Sequence, residues 1–395
     1  MSLHSSSLPQ GITIEFIAEQ VSLLECLEYC EKYPIVALDT EFVRTDTFYS
    51  LPGLVQLFAG NRLFLIDPQA SLDMSPLALF LSSSKVKKVM HAMGEDVDLF
   101  HHWLKVTIKN VFDTQIAAGL LGIGASVGFA SLCQTLLGVE LDKSETRSDW
   151  VARPLSADQI TYAANDVFYL SRLYPLLLKQ IDTRKLSGIV EQETERTIDS
   201  ICTPSDPEFY YLKLRGAWRL EVAQQTQLQQ LAAWREKQAV GDNIPRSWVL
   251  PDKLMQLVVE RQPETVSQLY SIPGMPPKLV KKYGADMLRV IRVVGPTSNE
   301  FQKIMPPLSS RQQELHKALK KGIRQDAEQA SIPFELLSNN KVLEELVYQS
   351  CQHNRLFIPE FYEGWRWKFV GGTLKKKMES YISKAANAEN KEAGE

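Results

Sequence analysis

This sequence of 395 residues contains only five cysteines and six histidines. The cysteines are odd in number and form no Cys-x-x-Cys pair, so we expect neither a disulfide framework nor a zinc site. No apolar run approaches the roughly 20 residues that a membrane-spanning helix needs. Residues 1–10 are polar and lack the basic-then-apolar order of a signal peptide. These absences predict a cytoplasmic protein that has no contact with a membrane.

The composition is that of a globular protein, with 44% hydrophobic and 23% charged residues. Its length allows two or three domains. The net charge of −3 conceals an asymmetry: residues 1–200 carry 16 Lys and Arg against 25 Asp and Glu, whereas residues 211–293 carry 13 against 7. An acidic first part suits metal ions and a basic middle part suits a polyanion, although a solvated basic surface gives the same count.

The order of the elements predicts an α/β fold followed by helices. Candidate strands and helices alternate over the first 200 residues, and the runs 54–58 and 63–66 are close enough for a hairpin, which indicates a mixed sheet. Asp113 and Ser156 lie where helix N-caps are expected, and Ser156 with Gln159 forms a capping-box pattern. Breaks rich in proline follow at 203–207 and 295–296, and amphipathic helical windows dominate after the first break. Ile244-Pro245 and Ile332-Pro333 begin similar segments 88 residues apart, which suggests a repeated small domain.

A pair of acids follows the apolar run 35–38. Asp39 and Glu41 are two residues apart, so on a strand both carboxylates project from the same face. Two neighbouring like charges repel, and a hard divalent cation such as Mg²⁺ or Mn²⁺ relieves that repulsion. We place the end of the strand at these residues, and a solvated strand end is the alternative interpretation of so short a motif.

Two further acids lie on faces of helices that are otherwise apolar. Asp96 is three and four residues before Leu99 and Phe100, and Asp166 is four residues before Leu170. Tyr162 lies one turn before Asp166 on the same face. A carboxylate that faces a core needs a cationic partner or a metal. Four acids of this kind match the needs of two-metal phosphoryl chemistry, whereas pairing with a buried Arg is the structural alternative.

These residues belong to motifs that resemble those of the DEDD exonuclease superfamily, in its Tyr-bearing branch. The motifs are Asp39-Thr-Glu-Phe-Val-Arg44, His91-Ala-Met-Gly-Glu-Asp96 and Tyr162-Ala-Ala-Asn-Asp166. The longer strings at 39–56, 112–115 and 141–155 are similar to the ribonuclease D family. Trp234-Arg235, Asn243-Ile-Pro-Arg246 and Ile272-Pro-Gly274 resemble the helicase-and-ribonuclease-D C-terminal (HRDC) domain.

The resemblance implies an organisation into domains. We expect a ribonuclease H-like exonuclease domain at 1–203, a first HRDC domain at 208–295, a second, diverged HRDC-like domain at 300–380 and a flexible tail at 381–395. The expected fold class is therefore α/β with a mixed sheet, followed by two small all-α domains.

The resemblance also implies an activity: metal-dependent 3′–5′ hydrolysis of RNA that has a free 3′ end, with release of nucleoside 5′-monophosphates. Precursors of tRNA and other small structured RNAs are the substrates it suggests. The implied catalytic residues are the four acids and Tyr162, with two divalent cations, Mg²⁺ or Mn²⁺, held by Asp39, Glu41, Asp96 and Asp166. Since the pKa of a tyrosine is near 10, we expect Tyr162 to orient the attacking water rather than to act as a base. No dimer signature is present, so a monomer is expected.

Six residues are candidates for substrate binding, each with a structural alternative. Phe42 would contact a terminal base or fill the core. Lys143 and Arg147, with Arg153 nearby, would bind phosphate or form local salt bridges. The remaining candidates would bind phosphate where a Gly turn opens a helix, or would form a solvated basic face; they are Lys278, Lys281 and Lys282.

Two other functions remain open from the sequence. The same chemistry serves DNA exonucleases, because the acids do not read the 2′-hydroxyl. A nucleic-acid-binding scaffold with an inactive nuclease fold is the second alternative, and the complete set of acids and Tyr162 argues against it.

Overall fold

The computed structural model describes residues 11–142, 144–203, 206–292 and 301–392. Two compact units emerge from its contacts: unit 1 comprises Met1–Glu41, Pro52–Cys202 and Leu308–Glu395, and unit 2 comprises Phe42–Leu51 and Thr203–Pro307. None of the described helices has the length and hydrophobicity that crossing a membrane requires.

Unit 1 is built on a six-stranded mixed sheet with the strand order β1-β4-β3-β2-β5-β6. The pairs β1–β4, β2–β5 and β5–β6 are parallel, and β3–β4 is antiparallel, which confirms the hairpin expected from the sequence. The strands are β1 Thr13–Ile17, β2 Ile35–Val43, β3 Leu51–Ala59, β4 Arg62–Ile66, β5 Lys87–Met90 and β6 Val111–Asp113.

Seven helices follow and interleave with these strands: α1 Gln20–Cys30, α2 Ser75–Ser82, α3 Gly94–Trp103, α4 Thr114–Leu120, α5 Phe129–Leu137, α6 Ala157–Thr183 and α7 Ser187–Cys202. Alternate residues of the strands, such as Val36 and Leu38, pack with α1 to α3 in one apolar core on one face of the sheet. The opposite face contacts α6, where Phe58 and Phe168 meet edge to face with ring centroids 5.8 Å apart. The α/β fold with a mixed sheet is thus as expected.

One boundary differs from the sequence analysis. We expected β2 to end at Asp39 and Glu41, but it continues to Val43, so both acids lie within the strand. The apolar run ends there, whereas the main-chain pairing that defines the strand does not depend on side-chain polarity.

Unit 2 is helical, with α8 Val222–Gly241, α9 Arg246–Val249, α10 Asp252–Arg261, α11 Val266–Tyr270 and α12 Pro277–Ile291. These helices enclose one apolar core, and Phe48, from the segment Phe42–Leu51, packs against it.

The last helices of the chain repeat the local pattern of unit 2. They are α13 Ser310–Ala330, α14 Phe334–Leu337, α15 Asn340–Gln352 and α16 Trp367–Glu392. In both copies a long helix ends before an Ile-Pro pair and a four-residue helix follows. The N–H of Ile244 bonds to the carbonyl of Ala239 at 3.0 Å, and Ile332 bonds to Ala327 at 3.1 Å. These equivalent bonds show the same local geometry at two places 88 residues apart, while the repeated small domain and its assignment as a second HRDC-like domain stay predictions.

Candidate active site

Strand β2 carries the first two acids. Asp39 and Glu41 alternate with buried Leu38 and Thr40, so they share the face of the sheet that contacts α6. Phe42 follows them and is half-buried in the same strand.

Helix α3 carries the third acid. Asp96 is 7% exposed, whereas its neighbour Glu95 is exposed, as the apolar face predicted. The start of α3 is fixed by Asp113, whose carboxylate accepts hydrogen bonds from the N–H of Met93 at 2.9 Å and from that of Gln115 at 2.7 Å. Asp113 therefore caps α4, as expected, and also positions the first turn of the helix that carries Asp96.

Helix α6 carries the fourth acid and the tyrosine. It begins with the expected capping box, in which Ser156 and Gln159 exchange hydrogen bonds with each other's backbone N–H. Asp166 and Tyr162 lie one turn apart, and both are half-buried. The phenol oxygen of Tyr162 lies 3.4 Å from Oγ1 of Thr146, in a 3-10 helix at Ser144–Arg147.

The structure brings three of the acids into one group. One carboxylate oxygen from each of Asp39, Glu41 and Asp166 lies within 4.8 Å of the other two. Strand β2 and helix α6, which are far apart in sequence, together build this group. Asp96 is not a member of this three-residue group, and its carboxylate accepts a hydrogen bond from Oγ1 of Thr40.

Burial raises the pKa of Asp39, Glu41, Asp96 and Asp166, and repulsion between the acids adds to this effect for the last three. Desolvation raises the pKa of Asp39 to about 7. Desolvation, and then the charges of the other three acids, raise that of Glu41 to about 10. The pKa values of Asp96 and Asp166 are also well above their usual range because of desolvation and the charge of Asp39. Protonation or a bound cation is needed to neutralise such a set.

The same charges act on the tyrosine. Burial raises the pKa of Tyr162 above its ordinary value, and the charge of Asp166 raises it further. Glu41 and Asp39 add smaller contributions in the same direction. The phenol is therefore close to the acids and stays protonated at neutral pH.

A tight contact supports strand β3 beside the acids. A Cβ atom added at Gly53 would lie 2.5 Å from Cβ of Trp150 and 3.0 Å from the carbonyl oxygen of Glu41. The adjacent Arg153 is held by Asp67, with its Nε 2.9 Å from Oδ2, and donates to the carbonyl of Gly53 at 2.6 Å. Of the two readings of Arg153, the local salt bridge is therefore the observed one.

The candidate substrate-binding residues belong to different elements of the two units. Arg147 is exposed at the end of its 3-10 helix, and Lys143 lies outside the described residues. Lys278 and Lys281 are exposed near the start of α12, and Lys282 forms a salt bridge with Asp242 at 2.9 Å. Their roles, and that of Phe42, stay predictions.

Two residues near the acids were not identified from the sequence. Thr40 is buried and bonds to Asp96, but strand alternation places it on the face opposite to Asp39, so the pattern gave no reason to select it. Trp150 is 1% exposed, and its ring centroid lies 6.0 Å from that of Tyr162. It lies within the string 141–155 that resembles the ribonuclease D family, but nothing in its spacing indicated this contact.

Comparison with protein families gives two matches. Residues 14–182 match the 3′–5′ exonuclease domain, and residues 224–291 match the HRDC domain. The first range contains all four acids and Tyr162.

Curated relatives match over nearly the whole length. The chain is 34% identical to ribonuclease D of Pseudomonas paraeruginosa over 369 residues, which cover 93% of this chain and 98% of the relative. It is 31% identical to ribonuclease D of Escherichia coli over 380 residues, covering 93% and 99%. The crystal structure of the Escherichia coli RNase D superimposes with a TM-score of 0.86 at 30% identity, and the match covers 94% of this chain and all of that one.

Proposed function

Because the chain belongs to the ribonuclease D family of 3′–5′ exoribonucleases, we propose that it trims the 3′ ends of structured RNAs with the help of two divalent cations. Its products are nucleoside 5′-monophosphates, and its substrates are tRNA precursors and other small RNAs. The similar enzyme of Escherichia coli is an exoribonuclease involved in structured RNA processing, which supports this substrate class.

The observation that carries the mechanism is the convergence of Asp39, Glu41 and Asp166 within 4.8 Å. Oxygen ligands suit Mg²⁺ and Mn²⁺, and desolvated carboxylates that repel one another fit a cation better than they fit water. We assign these three acids and Asp96 as the metal ligands. When bound, the two cations supply Lewis acidity that lowers the pKa of the attacking water and stabilises the leaving 3′-oxygen.

The residues of the chain contribute positioning. The carboxylates would hold the two cations, and Thr40 fixes one orientation of Asp96 through its hydrogen bond. Tyr162 keeps its proton because burial and Asp166 raise its pKa. Its phenol therefore acts as a hydrogen-bonding group that orients the water, and not as a general base.

The remaining expectations concern the setting of the enzyme. All five cysteines are free, in agreement with a reducing compartment. The cytoplasmic location and the monomeric state stay predictions.

The test is digestion of a 5′-labelled single-stranded RNA with Mg²⁺ or Mn²⁺, against a chelator control. We expect a ladder that shortens from the 3′ end and nucleoside 5′-monophosphates as products. Asp39→Asn should abolish the ladder, whereas Glu95→Gln, which changes an exposed acid beside Asp96, should retain it. Hydrolysis by Asp39→Asn, or products that carry a 3′-phosphate, would contradict the mechanism.

The substrate class needs separate measurements. A DNA oligonucleotide of matched sequence tests the alternative enzyme, and faster digestion of DNA would exclude the proposed preference. A hairpin with a 3′ tail tests access to folded RNA: we expect trimming to stop near the base of the stem.

A further inference from the structure

Unit 2 contains a cavity of about 570 Å³ that the acids do not line. Its walls come from the segment Phe42–Leu51, a 3-10 helix at Pro207–Lys213, and helices α8 and α9. Its lining includes the cations Arg44, Lys213, Arg235 and Arg246 and the single carboxylate Asp252.

The cations of this cavity are not fully neutralised. Arg235 pairs with Asp252 at 2.5 Å, and Arg246 pairs with buried Glu236 at 2.5 Å. Arg44 and Lys213 are exposed, and no carboxylate of the described residues forms an ion pair with either of them. The cavity therefore has two free positive charges on its surface, as an anion site requires.

Aromatic rings fix the position of the central guanidinium. Cζ of Arg246 lies 4.5 Å from the ring centroid of Phe48 and 4.7 Å from that of Tyr210. Nζ of Lys213 lies 4.2 Å from the ring of Tyr210. The rings thus hold cations through their faces, so the charged groups are ordered before a ligand arrives.

Arg235 contributes positive charge to the cavity and not a free hydrogen-bonding fork. It is 2% exposed, and its terminal nitrogens already donate to the carbonyl of Leu250 and to the carboxylates of Asp252 and Glu236. The guanidinium of Arg44 is exposed, and such a planar group matches the oxygens of a phosphate better than any neutral ligand does.

The segment that carries Arg44 is anchored in place. Oδ1 of Asn243 accepts hydrogen bonds from the backbone N–H of Phe48 and of Tyr49, both at 3.2 Å. Asn243 itself has a φ of 48°, in the left-handed region that Asn tolerates. The anchor holds Phe48 against Arg246.

We propose that this cavity is a second phosphate site, which binds a phosphodiester of the RNA substrate away from the reacting bond. The proposal rests on the proposed function, and Arg44 follows Glu41 by only three residues in the chain. Because the rings are occupied by cations, the site contacts the RNA backbone and does not distinguish bases. It therefore serves to hold RNA of any sequence during trimming.

The test measures RNA affinity without catalysis. Binding of a fluorescent single-stranded RNA is followed by anisotropy in chelator, for the whole chain and for the double variant Arg44→Gln/Lys213→Gln. We expect affinity to fall about tenfold, since the two contacts that are lost are solvent-exposed charge contacts, each of which contributes little. The dependence of log K on log salt should flatten by about 1.4, at about 0.7 for each phosphate contact on a single strand. The loss should be equal for oligo(A) and oligo(U).

Two controls make the result specific. Lys253→Gln removes an exposed cation of the same unit that does not line the cavity, and it should leave the affinity unchanged. Arg44→Lys/Lys213→Arg keeps both charges and should retain most of the affinity. The two substituted cations, Arg44 and Lys213, are exposed, so the variants should unfold at the same temperature as the parent protein.

Several outcomes would overturn the proposal. One is an unchanged affinity and salt slope in the double variant. Another is a loss seen with only one base composition. If the double variant binds RNA normally but no longer binds 5′-AMP or inorganic phosphate, the cavity holds a free anion instead of the RNA chain. Failure of the parent protein to hydrolyse RNA would reject the proposed function. The binding measurement would still test the cavity, because it does not depend on hydrolysis.

Discussion

The hydroxyl of Thr40 donates a hydrogen bond to the buried carboxylate of Asp96, and it joins strand β2 to helix α3. Thr40 lies between Asp39 and Glu41 in sequence but projects from the other face of the strand. Thr40 therefore orients Asp96, which is not part of the group that Asp39 and Glu41 form with Asp166.

Replacing this hydroxyl tests the orienting role of Thr40. Thr40→Val keeps the shape but leaves Asp96 without its donor. We expect kcat on RNA to fall by about tenfold, or about 1.4 kcal/mol in the barrier, with weaker activation by Mg²⁺ or Mn²⁺. Thr40→Ser retains the hydroxyl and should keep near-normal activity. Equal metal titration curves for the two variants would show that the hydrogen bond has no catalytic role.

The acids predict a pH dependence of stability in chelator. The pKa of Asp39 is about 7 in the folded protein, above its ordinary value near 4. Between these values the folded protein holds a proton that the unfolded chain releases, so the free energy of unfolding falls as the pH rises from about 4 to 7. One proton contributes at most about 1.4 kcal/mol per pH unit.

Denaturant titrations from pH 4 to pH 8 measure this slope. Asp39→Asn should make it shallower and should increase stability at pH 7. Mg²⁺ or Mn²⁺ should stabilise the parent protein more at pH 8 than at pH 5, because metal ligands must be deprotonated. A variant with the slope of the parent would exclude Asp39 as its source.

We expect the phenol hydroxyl of Tyr162 to keep its proton and to orient the attacking water by a hydrogen bond. Tyr162→Phe removes the phenol hydroxyl but keeps the ring that lies near Trp150. We therefore expect kcat to fall by about 10- to 100-fold while KM changes little. The pKa of Tyr162 is raised, so the profile of kcat against pH should have the same limbs in both proteins between pH 6 and 9. Loss of a basic limb in the variant would instead identify Tyr162 as a titrating base.

Gly53 leaves no room for a side chain. In Gly53→Ala the new methyl group meets Trp150 and the backbone of Glu41, so we expect a loss of about 1–3 kcal/mol in the free energy of unfolding and a lower kcat. Gly372→Ala, in helix α16 with open space around the added Cβ, should be neutral or stabilising by up to about 1 kcal/mol. Thermal unfolding and RNA digestion of the two variants give the comparison.

The buried ion pair of Glu193 and Arg366 connects α7 to the beginning of α16. Glu193 also accepts from Nε1 of Trp365 at 2.8 Å. Burial would raise the pKa of Glu193, but the hydrogen bonds from Arg366, Arg196 and Trp365 outweigh it and lower the pKa.

Arg366→Met should destabilise the protein by about 3–5 kcal/mol, since it leaves a buried carboxylate without its main partner. The double variant Glu193→Gln/Arg366→Met should recover part of this loss. Arg289→Met breaks an exposed pair with Asp286 and should cost less than about 1 kcal/mol. Chemical denaturation measures all three, and equal losses for the buried and exposed pairs would contradict the argument.

Periodicity was sufficient for the features that depend on one element. Strand alternation placed Asp39 and Glu41 on one face, and helical spacing selected buried Asp96 over exposed Glu95. Capping motifs located the starts of α4 and α6. These patterns are local, so a single sequence contains them.

Features that join distant parts of the chain were not predictable in this way. The sequence around Thr40 gives no indication of its hydrogen bond to Asp96, which lies in a helix 56 residues later. The extension of β2 to Val43 depends on pairing with neighbouring strands, and the cavity around Arg246 combines segments about 200 residues apart. The composition indicated a basic middle segment, but it did not indicate which of its cations form ion pairs with carboxylates.

The anchoring of Phe48 by Asn243 has a practical consequence for truncated proteins. A protein cut at the proline-rich break after residue 203 would keep the segment Phe42–Leu51 but lose the helices against which Phe48 packs. Its exposed aromatic residues would then adjoin the strand that carries the acids. An excised exonuclease domain is therefore expected to aggregate more readily than the full chain, and a stable fragment would need this segment redesigned along with the cut.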